Sequence, residues 1–185
     1  MFQVERYKNW YALFVVTGKE KLVQNLLYKL ISKEDIEKYN LIFMVTELEE
    51  LKKRNSSWEV SVTTLLQGYI LIGGNEIDDY IYNKIKSMPK VLNFVKTDKY
   101  ISKIPHEEIR VLGDWCNDDG IIEHSIIDFD ENDKIFVAKG PLKGREGCIK
   151  RINKHKRKVL IETELNNKTI KFKLSFEFLR KINNI

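Results

Sequence analysis

The chain has 185 residues, of which 43% are hydrophobic, and carries a formal net charge of +5. This length accommodates one domain or two small ones, and the apolar content suffices for a packed core, which excludes global disorder. No apolar run approaches the roughly 20 residues that span a bilayer, and the charged start shows no signal peptide. The two cysteines, Cys116 and Cys148, give neither a disulfide framework nor metal-ligand spacing. We therefore expect a cytoplasmic protein with no membrane segment, metal ion or cofactor.

The N-terminal part alternates strand-like and helix-like patterns. Residues 10–17 form an apolar, aromatic and β-branched run, which predicts a central strand. Thr17 and Glu20 stand at capping-box spacing, and leucines then recur at helical intervals, which predicts a helix over 19–32. Further strands are predicted at 41–46, 59–66 and 67–72, with the charged segment 47–57 as a hairpin connection.

The next elements complete a mixed fold. Apolar spacing predicts a second helix over 77–85, followed by a strand at 91–96. A short helix begins near Pro105, because proline suits the first turn of a helix. This order predicts an α+β fold, with an antiparallel sheet flanked by helices, for a first domain over residues 1–116.

The charge is distributed unevenly along the chain. Residues 1–116 have a net charge of +1, residues 117–132 carry −6, and residues 133–185 carry +10. The acidic stretch is rich in turn-forming residues, which predicts a linker over 117–132, although its isoleucines favour some docking onto a neighbour. The basic segment 133–185 has short alternating strands, which predicts a small β-barrel.

The barrel segment begins with a cluster of glycines. Residues 140–147 read GPLKGREG and follow the alternating run 135–137, which indicates a strand, a tight turn and a second strand. The spacing is not that of a P-loop, which needs four residues between its glycines and then Lys-Ser/Thr. A basic barrel makes polyanion binding plausible, and a solvated surface kept soluble by charge is the alternative.

These segments together resemble the NusG/RfaH family of transcription elongation factors. Residues 10–20, WYALFVVTGKE, match the Trp-Tyr strand and Thr/Ser-Gly-x-Glu opening of its N-terminal (NGN) domain. Residues 66–70, LQGYI, correspond to the family's Phe-Pro-Gly-Tyr-apolar motif, and residues 90–95, KVLNFV, to its Gly-Val-x-x-Phe-Val element. Residues 140–147 match the KOW signature, with Leu142 in place of its phenylalanine, and this resemblance implies that the C-terminal barrel is SH3-like. Gln67 stands where the family usually has proline.

The resemblance implies a non-catalytic factor that binds RNA polymerase. The opening LFVVTGKE is similar to the LoaP-type paralogues, so we expect a specialised factor that promotes processive antitermination after recruitment by a nascent RNA hairpin. Two alternatives stay open. One is a housekeeping NusG that couples polymerase to ribosomal protein S10 or Rho, and the other is a ribosome-associated or RNA-binding KOW protein. Single-stranded non-template DNA is a further contact to consider, and a monomer is expected.

The family pattern implies particular contact residues, and charge adds others. An apolar depression that grips the clamp helices of the largest polymerase subunit maps to Phe14, Leu66, Tyr69 and Phe94. Apolar protein contacts of the KOW loops map to Leu142 and Leu165. Basic side chains are the candidates for phosphate contact with RNA, and they are Lys19, Lys21, Lys29, Lys33, Lys52, Lys53, Arg54, Lys150, Arg151, Lys154, Lys156 and Arg157.

No pattern of catalytic residues is present in the sequence. The three histidines are scattered, no His-Glu-x-x-His or clustered Cys/His spacing occurs, and no nucleophile has a nearby base in the sequence. The glycines of the barrel turn and the apolar runs are equally well explained as structural. We therefore predict no enzyme activity.

Overall fold

The computed structural model describes residues 2–132, 134–165 and 168–179, and it contains helices and mostly antiparallel sheets. The helices are α1 (Glu20–Leu30), α2 (Lys33–Lys38), α3 (Asp79–Lys86) and α4 (His106–Gly113). The strands are β1 (Asn9–Val15), β2 (Ile42–Met44), β3 (Glu47–Arg54), β4 (Ser57–Thr64), β5 (Tyr69–Gly74), β6 (Val91–Phe94), β7 (Lys96–Thr97), β8 (Tyr100–Ile101), β9 (Ile121–Ile122), β10 (Ser125–Phe129), β11 (Ile135–Lys139), β12 (Ile149–Asn153), β13 (Lys158–Leu165) and β14 (Lys168–Phe178). The predicted α+β class is confirmed.

The chain forms two compact units whose boundaries differ from the predicted ones. The first unit contains the residues up to Glu47 together with Thr64–Gly120. The second contains Leu48–Thr63 and the residues from Ile121 onward. The β3–β4 hairpin therefore belongs, for the most part, to the unit that contains the barrel, although its sequence interrupts that of the first unit.

The first unit is built on a four-stranded sheet in the order β2-β5-β1-β6. Alternation along β1 sends Tyr11, Leu13 and Val15 to one face, where α1 and α3 cover them. The helices contribute apolar positions at three- and four-residue spacing, such as Val23 and Leu27 on α1. Burial of this face excludes water from the centre of the unit and fixes the register of the sheet.

Two local predictions differ from the structure. The predicted helix over 19–32 ends at Leu30, and a separate helix, α2, begins after Ser32, whose hydroxyl accepts a hydrogen bond from the Asp35 amide. The charged segment 47–57 forms a strand, β3, whose buried residue is Leu51. The hairpin turns at Asn55 and Ser56, which both have positive φ, as a two-residue type I′ turn requires.

The second unit contains a five-stranded sheet in the order β11-β10-β14-β13-β12. Its core is made of inward-facing apolar side chains, which include Ile127, Val137, Val159, Ile161, Leu174 and Phe176. Strand β10 pairs in parallel with β14, with Ser125 opposite Phe176, whereas the other pairs in this sheet are antiparallel. The predicted linker 117–132 thus supplies a strand to the barrel sheet, because Ser125 and Ile127 point into its core.

The β3–β4 hairpin is held to the rest of the second unit by polar and aromatic contacts. The Leu51 amide donates to the Ser175 hydroxyl at 3.0 Å, and both residues are buried. The Lys158 ammonium lies 2.7 Å from the Glu50 carboxylate and lowers its pKa. Within the described residues, no helix is long and apolar enough to cross a membrane.

Candidate functional site

Two aromatic side chains are exposed side by side near the middle of the first sheet. Phe14 on β1 lies directly opposite Tyr69 on β5, and their ring centroids are 5.3 Å apart. They remain 39% and 37% exposed, respectively. Leu66, half-buried, precedes β5, and its carbonyl accepts a hydrogen bond from the Tyr69 amide. Large apolar side chains grouped on a surface in this way are typical of protein interaction sites.

The same face of the sheet is covered at its other end. Trp10 is fully buried there, and its indole N–H donates to the Val4 carbonyl at 3.3 Å. The rings of Phe2 and Tyr7 contact Trp10 edge-on, at 5.7 and 5.4 Å between centroids. The N-terminal segment therefore closes the Trp10 end of this face, while the Phe14 end stays open to solvent.

Phe94 does not lie on this open surface, so its predicted contact role requires correction. It pairs with Leu13 and is only 2% exposed, on the face that α1 and α3 cover. The outward positions of this segment are Asn93, which pairs with Phe14, and Val95, whose amide donates to the Ala12 carbonyl. We call the set Phe14, Leu66, Tyr69, Asn93 and Val95 the docking surface.

A buried carboxylate supports the turn that leads into this surface. Glu20 is 3% exposed, and its Oε1 accepts hydrogen bonds from the Gly18 amide at 3.0 Å and the Gly68 amide at 2.6 Å. Burial by itself raises the pKa of Glu20, but these amide hydrogen bonds outweigh it, and the net pKa is lowered. The predicted capping box with Thr17 does not form: Lys19 is the N-cap and makes no side-chain capping bond.

The predicted RNA-contacting side chains of the first unit and the hairpin are exposed but differ in their partners. Lys19 precedes α1, Lys29 lies in its last turn, and Lys33 begins α2. Three of the other predicted positions form ion pairs: Lys21 with Glu47 at 2.8 Å, Lys52 with Glu50 at 3.4 Å and Arg54 with Glu59 at 3.8 Å. Lys53 is exposed. The ion pairs reduce the charge that these positions offer to a phosphate.

The basic side chains of the barrel lie on its outer surface. Lys150 and Arg151 are exposed on β12, and Lys154 and Lys156 are exposed in the turn that follows. The strand register places Arg151 beside Leu160 and then Lys173, so Lys173 joins this outer face although the sequence did not single it out. Two of these basic side chains make cation–π contacts: Lys154 lies 3.8 Å from the centroid of the Phe129 ring, and Arg157 lies 4.5 Å from that of the Trp58 ring.

Neither of the two leucines predicted as protein contacts in the barrel loops is placed on the surface by the described residues. Leu142 is fully buried, because its backbone amide is anchored to the Ser125 hydroxyl at 3.1 Å and its side chain fills the core. It is therefore not a surface contact. Leu165 ends β13, and its side chain lies outside the described residues. Phe136 on β11, which is not among the predicted contacts, is a large apolar side chain on this unit that is 58% exposed.

The described residues contain little that could carry covalent or metal chemistry. Among them, no group of three or more His, Cys, Asp or Glu side chains is arranged to hold a metal ion. Burial raises the pKa of the Cys116 thiol to about 12, so this thiol stays protonated at neutral pH. The features that could bind a partner are an apolar surface on the first unit and a basic surface on the second.

A family model described as transcription termination factor NusG matches residues 8–112. The chain belongs to the NusG family. The match includes the residues of the docking surface and Glu20. It therefore supports the coarser part of the sequence interpretation, a transcription termination and antitermination factor, and leaves the LoaP-type subgroup a proposal.

Relatives extend the similarity over most of the chain. The transcription termination/antitermination protein NusG of Helicobacter pylori strain J99 is 22% identical over 176 residues, which cover 94% of this chain and 98% of that protein. NusG of Neisseria meningitidis serogroup B is 23% identical over 177 residues, 95% and 99% of the two chains. Transcription elongation factor Spt5 of Methanocaldococcus jannaschii is 25% identical and covers 83% of each chain.

Among solved structures, one described as domain interaction in Thermotoga maritima NusG is similar to this chain. It aligns with 90% of this chain and 93% of its own, with 17% sequence identity and a TM-score of 0.47.

Proposed function

We propose that this NusG-family chain binds RNA polymerase through the docking surface and acts as a processive antitermination factor. The observation that carries the proposal is the exposed Phe14–Tyr69 pair, which lies at the uncovered end of a sheet face that is otherwise buried. Exposing two aromatic rings in one place is unfavourable in water unless a partner covers them.

The chemistry of the surface fits a helical tip as its partner. The two rings stand on paired strands, so their positions are fixed before binding, and little entropy is lost when a partner arrives. Apolar side chains from the end of a helical hairpin would pack on the rings. At the rim, the Asn93 side-chain oxygen already accepts a hydrogen bond from the Phe94 amide, and its NH₂ group could donate to a partner. In the polymerase, the clamp helices of the largest subunit are the proposed element.

The mechanism needs no catalysis from this chain. A ligand that binds the closed, elongating state of the polymerase better than a paused state shifts the enzyme toward elongation. The shift is limited by the difference between the two affinities, so the docking surface must bind more tightly when the clamp is closed. The chain then acts as a binding factor in the cytoplasm and not as an enzyme.

The polymerase proposal is tested by binding of the full-length chain to purified RNA polymerase. We expect Phe14→Ala combined with Tyr69→Ala to weaken binding by about 100-fold, since two anchors at about 1.4 kcal/mol each contribute a factor of ten apiece. Tyr100→Ala is the matched control, because Tyr100 is 81% exposed on the same unit and lies outside the docking surface. Equal affinity of the double variant and the wild type refutes the proposal.

We further propose recruitment by a nascent RNA hairpin, supported by the exposed lysines at Lys29 and Lys33 and by the barrel face at Lys150 and Arg151. Charge reversal of each pair is compared with wild type for binding to a candidate leader hairpin and to a scrambled hairpin over a salt series. If a pair contacts phosphate, its replacement should reduce the slope of log affinity against log salt concentration by about 0.7–0.9 per contact. Equal affinity for both RNAs refutes specific recruitment and leaves the polymerase proposal intact.

The housekeeping alternative is supported by one observation on the barrel. Phe136 is exposed on β11, an edge strand of its sheet, where an apolar side chain can anchor a protein partner such as ribosomal protein S10 or Rho. Binding of either protein to the full-length chain, lost in Phe136→Ala, would favour a coupling role. Co-purification with ribosomes and not with polymerase would instead favour the KOW-protein alternative.

A further inference from the structure

We infer that Glu20 is a positioning residue for the docking surface, because its carboxylate holds the turn at Leu66–Tyr69 in the form that presents the Phe14 and Tyr69 rings. The inference rests on the proposed function for its biological meaning, but its structural part can be tested without polymerase.

The contact joins two segments that are distant in sequence. Glu20 begins α1, and the Gly68 amide that it binds is 48 positions away, immediately before β5. The same carboxylate oxygen accepts a hydrogen bond from the Gly18 amide, which lies in the segment between β1 and α1. One buried oxygen therefore connects two loops. The first loop follows β1, the strand that carries Phe14, and the second precedes β5, the strand that begins with Tyr69.

The turn held by Glu20 lies directly against the Phe14 ring. Gly68 has a φ of +81°, and the Leu66 carbonyl accepts a hydrogen bond from the Tyr69 amide, as in a type II turn. A Cβ added at Gly68 would lie 3.4 Å from Phe14 Cε2 and 3.2 Å from the Thr17 hydroxyl. The Gly68 carbonyl in turn accepts the Val15 amide at 2.8 Å. A shift of this turn therefore displaces the ring beside it.

A carboxylate suits this position better than any neutral group. Both partners are N–H donors, and an ionised carboxylate is an acceptor without a proton of its own. Bonds from N–H to a charged acceptor are stronger than neutral ones, which compensates for burying the charge. An amide in the same place could offer its one carbonyl oxygen to both donors, but that oxygen carries no full charge, so both hydrogen bonds would be weaker.

A simpler role for Glu20 makes a different prediction. An acidic residue in the first turn of a helix is favoured by the helix dipole, and that effect alone would stabilise α1 without affecting the turn at Gly68. Glu20→Asp separates the two roles. It keeps a negative charge at the start of α1 but draws the carboxylate back by about 1.5 Å, the length of one C–C bond, so the bond to Gly68 is lost.

The experiment records backbone amide and aromatic ring resonances of the full-length chain by NMR. In the wild type, we expect the Gly18 and Gly68 amide shifts to titrate together as Glu20 is protonated. Glu20→Gln and Glu20→Asp are expected to shift the Phe14 and Tyr69 ring resonances at neutral pH. Glu34→Gln is the matched control, since Glu34 is an exposed carboxylate in the first turn of α2, and we expect it to leave these resonances unchanged.

Binding to polymerase is measured in parallel, at a temperature where every variant is fully folded by circular dichroism. We expect Glu20→Gln and Glu20→Asp to weaken binding by about tenfold, which corresponds to about 1.4 kcal/mol, and Glu34→Gln to bind as the wild type does. Unchanged ring resonances in both Glu20 variants overturn the inference, as does wild-type affinity of folded Glu20→Asp. If the wild type itself fails to bind polymerase, the proposed function is wrong, and the ring resonances still decide whether Glu20 positions the surface.

Discussion

Gly140, the first glycine of the barrel turn, is the position where a single methyl group should be most damaging. Its φ is +99°, and an added Cβ would lie 2.6 Å from Ser125 Cα and 2.8 Å from the His124 carbonyl oxygen. These are backbone atoms of a neighbouring segment and cannot rotate away as a side chain can. Gly140→Ala must therefore either strain the turn or push it off β10, where Ser125 anchors the Leu142 amide.

The expected cost has two parts. A β-carbon in the left-handed region costs about 1–2 kcal/mol, and overpacking a well-filled site costs about 1–3 kcal/mol. We expect Gly140→Ala to lower the free energy of unfolding of the second unit by about 2–5 kcal/mol. Gly144→Ala is the matched control: its φ is +76°, but an added Cβ meets nothing within 4 Å. Its cost is about 1 kcal/mol, partly offset by the lower entropy of the unfolded chain.

The assay is hydrogen exchange of the buried barrel strands, followed in the full-length chain at the amides of Val137 and Val159. Exchange reports the free energy of opening of the second unit without requiring the whole chain to unfold in one step. Gly140→Ala should increase exchange far more than Gly144→Ala does. Equal increases in the two variants would mean that close packing against Ser125 does not explain why glycine is needed.

Three further outcomes follow from single contacts. Gln67→Pro should raise the free energy of unfolding of the first unit by about 0.4–1 kcal/mol, because proline suits the position before glycine in a type II turn; a lower melting temperature contradicts this. Trp58→Ala removes the ring under Arg157 and should lower the protection of hairpin amides by about 1–2 kcal/mol; unchanged exchange over 48–63 contradicts it. Because the folded-state pKa of Glu20 is lowered, its contribution to stability is present above the unfolded pKa of about 4.3 and is lost as pH falls through the folded value. Urea unfolding should therefore show wild type and Glu20→Gln converging in acid, and a constant difference argues against it.

Much of the fold could be predicted from local patterns. The apolar run of β1 and the leucine spacing of α1 are strong signals, because alternation and helical periodicity are set by backbone geometry. Strand β3 was predicted as a connection because its sequence is mostly charged, and one buried residue, Leu51, is too weak a signal to reveal its partner. The acidic segment was predicted as a linker because charge density hid the alternation of Ser125 and Ile127.

The candidate site was only partly predictable. Phe14 and Phe94 both lie in apolar runs, and which of them is exposed depends on the pairing of β1 with β6, which sets Phe94 opposite Leu13. Leu142 was expected on the surface because it lies in a barrel loop, yet its position follows from a hydrogen bond between its amide and the hydroxyl of Ser125, 17 positions earlier. The Glu20–Gly68 contact had no local signal at all, because its two partners meet only when the sheet has formed.

The placement of the β3–β4 hairpin limits how this protein can be recombined with its relatives. The backbone passes from one unit to the other after Glu47, again after Thr63, and a third time after Gly120. A chimera with a single crossover at residue 116 would join the barrel of one parent to the hairpin of the other, mismatching partners such as Glu50 with Lys158 and Leu51 with Ser175. Exchange of the barrel between family members therefore calls for transplanting two separate stretches of sequence together.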